Sequence, residues 1–183
     1  MKKILLLLSI AAFTAPSINA QTEKGDWMVG GYFRLNTSKN NTQIGLSPNA
    51  GAFIINNLAV GANLLLDYSK FGENKRTDFG IGPFVRYYFT QANVRPVMHG
   101  SLNFTSSRNQ TAITSTTENG LSYFLGGGAA IFLNEQVSLD GLMGYQHSKL
   151  KGFDGSGGFA FNIGFQVYLH KRQVDRLRGN SSY

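Results

Sequence analysis

The stretch from Gly158 to His170 reads GFAFNIGFQVYLH, and no other part of the chain restricts its fold so tightly. Phe159, Phe161, Ile163, Phe165, Val167 and Leu169 recur at every second position, with Ala160, Asn162, Gly164, Gln166 and Tyr168 between them. A period of two puts the two sets on opposite sides of an extended strand. One side is an unbroken row of aromatic and aliphatic groups and the other is small or polar. A strand whose outer side meets hydrocarbon needs that division.

Seven earlier runs carry the same alternation. They cover residues 27–36, about 43–55, 58 to about 68, 78–90, 95 to about 105, 120–133 and 137 to about 148. The first would turn Trp27, Val29, Phe33 and Leu35 outward, and the fifth Met98, Leu102 and Phe104. Pro48 makes the second run the least regular, because proline cannot donate to a ladder. Each run is long enough to cross a bilayer at a tilt of roughly 40°. Tight Asn-rich connections (56–57, 91–93, 134–136) alternate with longer polar ones (37–42, 69–77, 106–119, 149–156). The pattern predicts an all-β chain, an eight-stranded antiparallel up-and-down transmembrane β-barrel with both termini in the periplasm and four loops outside. An even strand number closes the sheet without a free edge.

The N-terminus supports export. Lys2 and Lys3 precede the apolar run ILLLLSIAAF, and a small residue, Ala20, follows. This pattern predicts a signal peptide over 1–20, cut before Gln21. The apolar run is well short of the roughly 20 residues that span a bilayer as a helix. The predicted organisation is therefore signal peptide 1–20, barrel 21–170 and a basic tail 171–183. Of 17 Lys and Arg, two lie in the signal, leaving 15 against 10 acidic residues. An exported basic chain meets no nucleic acid, and its natural anions are the phosphates of surface lipopolysaccharide. The chain has no cysteine, so disulfides and thiolate metal sites are excluded.

The opposite faces of the strands must fill a lumen only wide enough for side chains. Ten glycines fall there, leaving room for a polar network of Arg34, Asp67, Arg86, Asp140 and Gln166. Strand direction places Arg34 and Asp67 toward the outer end, and Arg86 and Asp140 toward the periplasmic end. Charges in so narrow a space require partners, since an unpaired buried ion costs several kcal/mol. The expected result is a side-chain-filled polar lumen.

His99, His147 and His170 are the only histidines, and no two share a ligand spacing, so no metal site is expected. His147 beside Ser148 is the nearest approach to a catalytic pair, but neighbours on a strand face opposite ways. No catalytic residue and no cofactor is assigned. The basic residues of the predicted external loops, Lys39, Lys70, Lys75, Arg76, Arg108, Lys149 and Lys151, would lie near lipopolysaccharide phosphates.

The signal, the eight runs, and phrases such as SPNAGAFIINNLAVGANL and DFGIGPFVRYYF resemble the small outer-membrane β-barrel family that includes OmpX and the transmembrane domain of OmpA. The Gln-started mature end and the Asn-turn-Leu-Ala-Val-Gly phrase further resemble barrels of Bacteroidetes-like bacteria. The resemblance implies a cell outer-membrane location, lipid and lipopolysaccharide as surroundings, and insertion by the barrel assembly machinery. Members of that family end on an aromatic residue, whereas this chain continues past Leu169 and His170 into KRQVDRLRGNSSY. The expected role is structural or surface-interactive. The alternatives are a lipid A-modifying enzyme and a narrow porin.

Overall fold

The computed structural model describes residues 22–38, 41–72, 74–111, 114–152, 154–171 and 174. The predicted signal peptide, Lys39 and all but two residues of the predicted tail lie outside them. Eight strands follow one another: β1 (Trp27–Ser38), β2 (Asn41–Ile55), β3 (Leu58–Phe71), β4 (Asn74–Tyr88), β5 (Val94–Gln110), β6 (Ser115–Phe132), β7 (Val137–Leu150) and β8 (Ser156–Leu169). Each pairs antiparallel with the next, and β8 returns to β1 to close the barrel. No helix among the described residues is long and apolar enough to cross a membrane.

The alternation in the sequence becomes the two walls of this cylinder. Val29, Phe33, Ile81, Leu125 and Ile163 are among the many large apolar side chains left exposed on the outside, and Phe159 reaches 86%. In water such a surface would be a severe liability. Wetted by hydrocarbon it is the lowest-energy surface available, and with every strand paired around the cylinder the chain is a transmembrane β-barrel. Tyr87 and Phe89 stand edge to face on the outer wall at the end that carries the termini.

The connections at that end are tight. Asn57 takes φ 67°, a left-handed conformation that asparagine tolerates. The opposite, far end departs from the expected long loops. Strands β3 to β6 continue as paired ribbons, so that Phe71 faces Asn74 and Gln110 faces Ser115. The polar composition that suggested loops there marks where the sheet leaves hydrocarbon, not where it stops pairing. Thr116 and Thr117 are β-branched and suit a wetted strand.

Inside the barrel, large side chains lie over glycines on the neighbouring strand: Tyr32 over Gly164, Gln166 over Gly30, Asp67 over Gly45 and Phe84 over Gly61. A Cβ at any of these glycines would strike the partner. The glycines of the inner face are therefore the complement of its bulky groups.

Candidate functional site

The lumen divides into two halves. Toward the terminal end it is closed by a fully buried layer. The Arg86 guanidinium donates to the hydroxyl of Tyr32 and to Asp140 Oδ2, the latter at 2.6 Å. Tyr32 donates to the same carboxylate at 3.3 Å, and Ser138 donates to Asp140 Oδ1 at 2.7 Å. Ser138 also lies 3.0 Å from the Tyr168 hydroxyl, which is 2.8 Å from that of Tyr88. Arg86 further packs over the Tyr88 ring, 4.9 Å from its centre. Arg86 and Asp140 have side chains at 0% exposure. So dry an ion pair is tolerated because the surrounding hydroxyls satisfy the carboxylate's remaining acceptors.

Beneath this layer lie Met28, Phe53, Phe132 and the rings of Tyr88 and Tyr168, all buried. Arg95 finishes the floor. It stacks 4.2 Å over Phe132 and donates to the carbonyls of Ala92 and Gln91 and to Thr22 Oγ1. Thr22 in turn donates to Asn57 Oδ1 at 2.8 Å. Asp26 fixes the same segment, accepting from His170 Nδ1 at 2.7 Å and the Lys171 amide at 3.0 Å. Residues 22–26 thus lie across the terminal end of the barrel.

The far half is a polar well. Its inner chamber, about 50 Å³, lies above His99 and Phe124 and has amides of Asn49, Asn63, Asn103 and Asn162 in its wall. That volume holds a few water molecules. Two wider mouths, about 260 and 500 Å³, share Gln146 and other residues with it. The expectation of a lumen filled throughout therefore holds only for the terminal half. The inner face of the far half carries mostly Ser, Thr, Asn and Gly, and its fewer long groups, among them Arg34, Gln43, Arg76 and Gln146, leave open space between them.

The five lumen residues named from the sequence separate accordingly. Arg86 and Asp140 form the buried pair. Arg34 approaches Asp67 only to 3.9 Å; its hydrogen bonds go to Asn162 Oδ1 at 3.0 Å and Gln146 Oε1 at 3.1 Å. Gln166 is fully buried, but neither amide atom has a hydrogen-bond partner among the described residues, so it does not join the network. Tyr32 and Arg95 were not singled out from the sequence. The alternation places Tyr32 inward, whereas the role of Arg95 depends on the floor closing around it.

The basic rim also differs from the loop positions expected for it. Lys70, Lys75, Arg108 and Lys149 stand exposed on strand ends, and Lys151 in a turn. Lys70 and Lys75 are directly opposite each other across β3 and β4. Arg76 turns to the lumen mouth instead, bonded to Asp78 at 2.9 Å and Ser107 at 3.2 Å, because its position in β4 has the inward parity. His147 stacks on Tyr123 with ring centres 5.3 Å apart, on the outer wall, while Ser148 lines the lumen mouth. The two cannot act together. No cluster of metal-ligating side chains is present among the described residues.

No protein-family model and no curated protein sequence matches the chain. Solved structures do. Neisserial surface protein A superposes with a TM-score of 0.58 at 17% identity, covering 78% of this chain and 94% of that one. The N-terminal β-barrel domain of Pseudomonas aeruginosa OprF gives 0.52 at 14% identity, covering 80% and 98%. Ail, the attachment invasion locus protein of Yersinia pestis, gives 0.50 at 14% identity, covering 80% and 99%. The chain has the fold of these small membrane barrels, over nearly the whole length of each.

Proposed function

We propose that the chain is an integral barrel protein of a bacterial outer membrane, with a structural or surface-interactive role, no chemistry of its own and no through-channel. The observation that carries this reading is the Arg86–Asp140 layer at 0% exposure, backed by the floor of Arg95 and Thr22. An ion crossing the barrel would have to break that pair in a low-dielectric setting. The separation of His147 from Ser148 by the thickness of the wall argues against a lipid A hydrolase built on them.

Transmembrane barrels keep their tight turns on the periplasmic side, so the far end, opposite the tight turns, faces outward. Lys70, Lys75, Arg108, Lys149 and Lys151 then meet the phosphates of lipopolysaccharide, and each cation near such a surface contributes about 1 kcal/mol. Insertion by the barrel assembly machinery belongs to the same reading. The test is reconstitution of the refolded chain in planar bilayers and incubation with lipid A. Neither a steady conductance nor a lipid product is expected. A stable channel would establish the narrow-porin alternative, and a product lost in His147→Ala the enzyme.

A further inference from the structure

The barrel does not close along its full height. The β7–β8 ladder runs up to Ser148 opposite Ser156, but the β1–β8 ladder stops at Phe33 opposite Ile163. Above that point β1 continues and pairs only with β2, as far as Ser38 opposite Asn41. Residues 156–162 of β8 therefore present a strand edge to β1 with no ladder between them. Unpaired backbone of this kind is not stable against hydrocarbon, and survives only where it borders a polar cavity.

Such a cavity is there. The 500 Å³ mouth has Arg34, Gln43, Gln146 and Ser156 on its lumen side, and Phe159 and Phe161 of the lipid-facing wall on the other. It is a slot that joins the polar well to the hydrocarbon. The inward positions of β8 along it are Gly158 and Ala160, so no bulky side chain of β8 blocks the passage. At Gly158 an added Cβ would meet no atom within 4 Å.

We infer that this β1–β8 slot binds a single-chain amphiphile with a carboxylate head, the head drawn into the well by Arg34 and the chain leaving past Phe159 and Phe161. Arg34 uses two of its five N–H groups, on Asn162 and Gln146, so three remain without a hydrogen-bond partner among the described residues. A guanidinium fork matches a planar carboxylate. Asp67, 3.9 Å from Arg34 Nη1, balances part of the charge from the far side but makes no hydrogen bond to it.

The inference rests on the membrane reading above, and the test separates the two. The full chain is refolded into neutral liposomes with a diazirine-bearing palmitate, irradiated, and mapped for adducts. Adducts are expected to concentrate on residues 156–161 and to be competed away by oleate, but not by a neutral alkyl glycoside or a lysophospholipid. Gly158→Phe should fill the slot and abolish them. Gly141→Phe, on the lipid face with equal free space, should not. Arg34→Gln should keep the barrel but erase the preference for oleate over the glycoside. Failure to fold into liposomes would overturn the membrane reading itself. A folded barrel with adducts spread evenly around the wall, or competed best by lysophospholipid, would overturn the carboxylate slot alone.

Discussion

Asn63 donates to Asn103 Oδ1 at 2.9 Å although the two stand on β3 and β5, with β4 between them. The contact is possible because β4 offers Gly82 opposite Asn63, and a Cβ there would run into the backbone of Leu102. Gly82→Ala is therefore expected to destabilise the barrel by about 1–3 kcal/mol through overpacking, with loss of the amide bond. Gly100→Ala, whose Cβ would make only ordinary contacts at 3.6 Å, should be neutral or slightly stabilising. Urea unfolding in lipid vesicles measures both.

The facing of the last strand gives a second prediction. Ile163 is half exposed on the outside, and Asn162 is buried and accepts from Arg34. Ile163→Arg should cost about 2–4 kcal/mol if it lies near the bilayer midplane. Asn162→Ala should cost about 1–2 kcal/mol, the loss of one hydrogen bond to a charged group. Equal losses at the two positions would sink the register.

Removing one partner of the buried pair should be far worse than removing both. Asp140→Ala leaves the Arg86 charge dry and uncompensated, and a loss of roughly 3–5 kcal/mol is expected. The double change Arg86→Met with Asp140→Leu should recover much of that loss. The heat-modified gel shift and unfolding midpoint of the two refolded variants, set against the parent chain, decide the matter.

Orientation can be read on cells. Epitope tags placed after Gly72, in the β3–β4 turn, and after Ala112, outside the described residues, should be reached by antibody on intact cells. Reaction only after permeabilisation would mean that the far end faces the periplasm.

Much of this architecture is legible in the sequence because side-chain parity is local. Phe159 and Asn162 declare their walls by position alone, and Asn56–Asn57 declares a turn. The far ribbons are less legible, since Thr116 and Thr117 read as loop when hydrophobicity is the signal. Arg34 could be placed beside Asp67 from strand direction, but its bonds to Asn162 and Gln146 depend on the curvature that brings β1 near β7 and β8. Nor does any local pattern reveal the floor. Arg95 meets Thr22 only after five strands have wrapped round, and Asn63 reaches Asn103 only across a glycine on a third strand.

The incomplete seam between β1 and β8 also governs how such a chain assembles. Every other ladder joins strands adjacent in sequence and can zip as a hairpin, whereas this one joins the two ends of the barrel and bears the largest loop-closure entropy. It is therefore the last contact to form during insertion, and it forms with only the seven pairs from Trp27–Leu169 to Phe33–Ile163. The same seven pairs are the first to open, so in native-state hydrogen exchange the amides of β1 and β8 that face each other trade their protons ahead of those in β4, β5 and β6.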